Sequence, residues 1–106
     1  MVYPENIKEI KKFAREIGID VKYLLGERFE GYLDLPSVRS LPANIVFNVG
    51  GWLYLPSVQS LPANIIFNVG EDLNLRSVKS LPVNIVFNVG GKIFFPTEHK
   101  VKVIWN

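Results

Sequence analysis

The chain contains the same twenty-residue segment three times in succession, and that repetition restricts its fold more than any other feature. Residues 31–50 read GYLDLPSVRSLPANIVFNVG, residues 51–70 GWLYLPSVQSLPANIIFNVG, and residues 71–90 EDLNLRSVKSLPVNIVFNVG. A fourth copy, residues 91–106, starts as GKIFFP and then leaves the pattern. A fixed period of this size makes each copy one rung of a solenoid, which buries its apolar face only against its neighbours.

Comparing the copies separates fixed positions from free ones. Leu33, Leu35, Val38, Leu41, Ile45, Phe47 and Val49 recur unchanged in both following copies. Leu33 and Leu35 alternate with Tyr32 and Asp34, and Ile45, Phe47 and Val49 alternate with Val46 and Asn48, so two short strands with one inward face are expected per rung. Ser40-Leu41-Pro42 bends the chain between them, since Pro42 has no N–H for a ladder, and Gly50-Gly51 leads into the next rung. Two strands and two bends per copy coil into stacked parallel sheets. Seven inward side chains, at about 1.5–3 kcal/mol each, are offset by the entropy of ordering twenty residues. One rung alone is therefore not expected to fold, whereas a capped stack is. Asn44/Asn64/Asn84 and Asn48/Asn68/Asn88 recur at the same spacing and are read as ladders, each amide bonding the same amide or a backbone group one rung away, with Ser37/Ser57/Ser77 and Ser40/Ser60/Ser80 bonding similarly at the bends.

Residues 1–30 are read as an N-terminal cap and connector, and residues 31–106 as the solenoid, within one domain. Over residues 4–17, Ile7, Ile10, Phe13, Ala14 and Ile17 share one helical stripe. Pro4 suits a first turn, Glu5 and Glu9 precede the basic residues as the helix dipole favours, and Gly18 with Ile19 forms a C-terminal stop. Such a helix closes the open apolar end of a solenoid. In the connector, Val21, Tyr23 and Leu25 alternate, predicting a short strand before a turn at Gly26. The stretch FAREIGIDVKYLL also resembles the end of a small helix-turn-helix, although it lacks polar residues for a reading helix.

The chain has no cysteine, which excludes disulfides, thiolate metal sites and cysteine nucleophiles. Its net charge of +2 arises in the tail. Acids and bases balance in residues 1–30 and again in the three full repeats, so no basic stripe marks a nucleic-acid binder. The sequence has no signal-peptide pattern at its start and no apolar run of the roughly 18 residues a membrane span needs. A cytoplasmic protein is the expectation. His99 has no neighbouring nucleophile, the carboxylates form no evident pair, and neither phosphate-loop nor metal spacing occurs. The reading is therefore a non-enzyme with no catalytic residues, metal or cofactor.

The recurring SLP, followed by an apolar strand and then L-x-L, resembles short bacterial leucine-rich repeats of the LPX type. It is closer still to LxL…SLPxN…VGG repeats of phage and gut-bacterial proteins. The resemblance covers residues 31–97 and implies an LRR-like solenoid that binds other macromolecules through a sheet face. The spacing departs from L-x-x-L-x-L, because Val49 precedes Leu53 by four residues. Both a horseshoe and a flat two-sheet β-solenoid therefore stay open.

Variation among the copies concentrates at the outward positions of the first strand. These are Tyr32, Trp52, Asp72 and Lys92 in one column, and Asp34, Tyr54, Asn74 and Phe94 in the next. Stacked, they make one face rich in aromatic residues, which bind at low entropic cost. Arg39, Gln59 and Lys79 form a further variable column at the bend. The first reading is a protein-binding module that uses this face, with a phage or mobile-element inhibitor of a host protein as its sharpest form. A second is self-assembly: Val101, Val103, Ile104 and Trp105 would form an edge strand, blunted by Lys100 and Lys102, that joins two copies into a homodimer through residues 93–106. A third is carbohydrate or nucleic-acid binding by aromatic stacking.

Overall fold

The structure, a computed structural model, describes residues 4–82 and 84–95. It is a β-solenoid of about three turns with one N-terminal helix. No helix interrupts the described rungs, so the two-sheet β-solenoid is the form adopted.

Each rung contributes a two-residue strand and a four-residue strand. The first set is β1 (Leu33–Asp34), β3 (Leu53–Tyr54), β5 (Leu73–Asn74) and β7 (Ile93–Phe94), paired in parallel in that order. The second set is β2 (Val46–Val49), β4 (Ile66–Val69) and β6 (Val86–Val89), also parallel. Register is in steps of twenty, as in Leu33 to Leu53 and Phe47 to Phe67. Identical side chains therefore lie over one another. Phe47, Phe67 and Phe87 are fully buried and stack at centroid distances of 5.7 and 5.5 Å with planes 9° and 5° apart. For strands about 4.8 Å apart, those distances imply a lateral slip of about 3 Å, the offset arrangement that aromatic quadrupoles favour.

The helix α1 (Ile7–Ile17) starts three residues later than the 4–17 stripe suggests. Pro4 and its neighbours instead form a turn in which the Ile7 N–H donates to the Pro4 carbonyl at 3.1 Å. Asn6 stands at the N-cap but does not cap with its side chain. Its amide donates to the Ala43 carbonyl at 2.8 Å and accepts from Asn44 Nδ2 at 3.1 Å, fastening the helix to the first rung. Ile10, Phe13 and Ala14 are buried in the common core, as a cap requires. Gly18 ends the helix at φ 79°, where its N–H and that of Ile19 both reach the Ala14 carbonyl.

The strand expected over Val21–Leu25 is instead a 3-10 turn at Val21–Leu24, capped by the Asp20 carboxylate accepting from the Lys22 N–H at 3.0 Å. Leu24, three residues after Val21, is the fully buried one, so the local period is three and the alternation in sequence was misleading. The connector still serves as a partial rung: Leu25 bridges to Val46 and Phe29 to Val49, in parallel.

The polar ladders divide. Asn64 donates to Asn44 at 3.3 Å, which continues to Asn6, so the first rung-to-rung step of that column bonds amide to amide. Asn44 and Asn64 have φ of 66° and 59°, a left-handed conformation that asparagine tolerates well. Asn48 takes the backbone alternative and donates to the Gly26 carbonyl of the connector, which serves as the preceding partial rung. The Ser57 and Ser77 hydroxyls donate to the carbonyls of Pro36 and Pro56 in the rung before.

Glycine is required where the coil closes. A Cβ on Gly70 would run into the Gly50 carbonyl oxygen, and one on Gly90 into that of Gly70. One residue further on, Glu71 already carries a side chain and its N–H reaches the Gly51 carbonyl at 3.1 Å. Gly70→Ala is therefore expected to cost about 1–3 kcal/mol through forced backbone shifts, read from the urea midpoint. Glu71→Ala should stay within about 0.5 kcal/mol of the parent. Equal midpoints for the two variants would refute the close-approach argument.

Candidate binding face

Parallel strands in register carry the variable positions to one surface. Asp34, Tyr54, Asn74 and Phe94 are consecutive partners across β1, β3, β5 and β7. Tyr32, Trp52, Asp72 and Lys92 immediately precede those strands, and the carbonyls of Trp52, Asp72 and Lys92 each accept from a leucine N–H of the preceding rung. Strand alternation sends these side chains outward, while Leu33, Leu53 and Leu73 point into the core.

The structure gathers three of the aromatic residues and leaves the fourth apart. Tyr32 and Trp52 stack at 4.1 Å with planes 17° apart, and Tyr54 leans on Trp52 at 4.2 Å and 38°. Tyr32 is 58% exposed, whereas Trp52 and Tyr54 are half-buried by their neighbours. Phe94, 42% exposed, lies two rungs beyond Tyr54 with Asn74 between them. The ring faces of Trp52 are turned toward Tyr32 and Tyr54, so Trp52 offers solvent mainly its edge, while Tyr32, at the end of the stack and 58% exposed, keeps its outer side open.

Two polar members of the face have structural tasks. Asp72 Oδ1 accepts from the Lys92 N–H at 2.9 Å, and Asn74 Oδ1 accepts from the Arg76 N–H at 3.1 Å. Asp34 and Lys92 remain exposed at opposite ends of the sheet. The bend column of Arg39, Gln59 and Lys79 is exposed as well, with the Lys79 N–H donating to the Gln59 carbonyl at 2.8 Å. Away from the face, Lys22 pairs with Glu27 at 3.3 Å on the connector, and the hydrogen bond to that carboxylate raises the ammonium above its usual pKa.

A groove of about 620 Å³ runs beside the face, between α1 and residues 34–42. Sequence reasoning did not find it, because it depends on how the helix lies across the first rung. Among the described residues no three His, Cys, Asp or Glu side chains group as a metal site would, and no helix is long and apolar enough to cross a membrane. The edge residues Val101, Val103, Ile104 and Trp105, with Lys100, Lys102 and His99, lie outside the described residues. No family model, curated protein or solved structure matches the chain.

Proposed function

We propose that the chain is a non-enzymatic protein-binding module whose contact surface is the outer face of the β1-β3-β5-β7 sheet. The observation that carries this reading is the ridge of Tyr32, Trp52 and Tyr54, placed where the copies differ and partly open to solvent. Rigid aromatic side chains with polar tips are the residue types enriched at protein hot spots. Asp34 and Lys92 at the two ends give the surface a charge direction that orients a partner.

The ridge geometry favours a protein over a sugar or a nucleic acid. Successive bases or sugar rings need several open ring faces, and here the faces of Trp52 are turned toward Tyr32 and Tyr54, which leaves the outer side of Tyr32 at the end of the stack.

The test compares capture by the parent, Trp52→Ala and Tyr54→Ala. Each variant is expected to keep cooperative unfolding, because both side chains project from the sheet, while retention of the captured partner falls by about tenfold or more. Retention should change little between low and moderate salt, unlike binding to phosphates. Undiminished capture by both variants, or unfolding of both, refutes the assignment.

A further inference from the structure

The geometry points to the open edge of β1 as a docking site for an extended segment of a partner protein, added as a parallel strand. This deepens the protein-binding reading of the same sheet and rests on it. Along that sheet the N–H groups of Leu33, Leu53 and Leu73 donate to the carbonyls of Trp52, Asp72 and Lys92, and those of Leu35, Leu55 and Leu75 to Tyr54, Asn74 and Phe94. The equivalent carbonyls in the first rung belong to Tyr32 and Asp34, and among the described residues neither receives a donor. In a parallel ladder alternate residues direct their N–H and C=O to opposite edges. Leu33 and Leu35 are engaged with β3, so the backbone groups of Tyr32 and Asp34 face away from it.

The two sheets end differently at this side of the molecule. The connector covers β2 through the Leu25–Val46 and Phe29–Val49 bridges. No described segment pairs with β1 on its outer side. Burial registers the difference. Leu55, Val58, Leu75 and Val78 are 0% exposed, whereas Leu35 and Val38 at the same positions of the first rung are only half-buried. Those two line the groove, with Arg39 beside them and Glu9, Phe13 and Glu16 opposite on α1. The groove therefore has an under-covered apolar column along one wall and meets the β1 edge at Asp34, with Tyr32 just beyond it. The cap helix and the covered β2 edge exclude a whole second solenoid stacking there.

The occupant is defined by the columns it continues. It is an extended segment running parallel to β1, with a leucine-like side chain at the inward position above the half-buried Leu35, while above Leu33, which is already 7% exposed, its side chain meets only the remaining rim. Its outward position bears an aromatic residue, which meets the face of Tyr32 opposite Trp52. Strand addition of this kind takes affinity from main-chain bonds and specificity from alternate side chains.

The repeat itself supplies the probe, since each rung's first strand is built to lie on the next. A labelled synthetic peptide, GWLYLPSV, carrying the sequence of Gly51–Val58, is titrated against the full chain. Saturable binding is expected. N-methylation of the peptide's two leucines keeps every side chain but removes the donors for the Tyr32 and Asp34 carbonyls, and should weaken binding by about tenfold or more. Asp34→Pro in the protein removes an edge N–H at a position where proline is tolerated and should have the same effect.

No binding by the unmodified peptide overturns the inference. So does binding indifferent to both N-methylation and Asp34→Pro, which would put the peptide at the other end of the stack. Should Asp34→Pro fail to fold, the N-methyl peptide decides alone. Partner capture that needs Trp52 while the peptide fails to bind leaves the face reading standing without the edge. Peptide binding at the edge, with capture indifferent to Trp52→Ala, overturns the face reading instead.

Discussion

Phe67→Ala is expected to remove about 3–5 kcal/mol of stability, a large share of the roughly 5–15 kcal/mol typical of a domain. Phe67 is fully buried and stacks on Phe47 on one side and Phe87 on the other. Truncation removes both stacks, and the void cannot close easily. The spacing between rungs is held at about 4.8 Å by parallel main-chain hydrogen bonds on both sheets, so collapse of one level would break the ladder above and below. Phe47→Ala should cost less, because Phe47 stacks on one phenylalanine and lies beside the connector, which can shift. Urea unfolding of the two variants checks the order. A Phe67→Ala loss below about 1 kcal/mol would mean that the rungs relax into the gap and that the stacked column is not the spine of the solenoid.

The fold was legible to the extent that it repeats. Identical residues twenty apart, alternating over Ile45–Val49, leave few arrangements besides a coil of parallel strands, and the register follows from the period alone. Where the chain stops repeating, the sequence misled. Val21, Tyr23 and Leu25 alternate like a strand, yet they sit where the chain leaves a helix and must turn sharply beneath it. Asp20 provides a cap there and the 3-10 turn results. For Asn48 the rung-to-rung bond was legible but its partner was not, since its amide finds the Gly26 carbonyl of the non-repeating connector.

The composition of the face was legible too, because register converts variation among copies into neighbouring side chains. Its geometry was not. That Tyr32 and Tyr54 pack on Trp52 depends on rotamers, and those rotamers separate a self-stacked ridge, open only at Tyr32, from a continuous stacking platform. The bare edge of β1 was equally hidden. The connector carries enough residues to pair with either sheet, and only its path shows that it covers β2 and leaves β1.

Ile10→Asp is expected to be the most damaging change outside the rungs. Ile10 is 0% exposed on α1, in the same cluster as Phe13, Ala14 and Leu24. A carboxylate there is taken from water with no cation among the buried residues of that cluster, a penalty of about 3–5 kcal/mol for an uncompensated charge. Burial disfavours the charged form, so the folded-state pKa of the new Asp rises above its ordinary value of about 3.9. The destabilisation is then smallest below that value and grows as pH increases toward the folded pKa, because the unfolded chain releases the proton first. Ile10→Asn lacks the titrating group and should show a loss nearly independent of pH. Urea midpoints for both variants at pH 4 and pH 7 separate charge from lost packing. If α1 caps the stack, the Asp variant at pH 7 also exposes the first rung and sediments as aggregate, while parent and Asn variant differ mainly in midpoint. An Ile10→Asp protein that unfolds at the parent's midpoint at pH 7 would show that the helix is not part of the core, leaving the solenoid to be closed at that end by the connector alone.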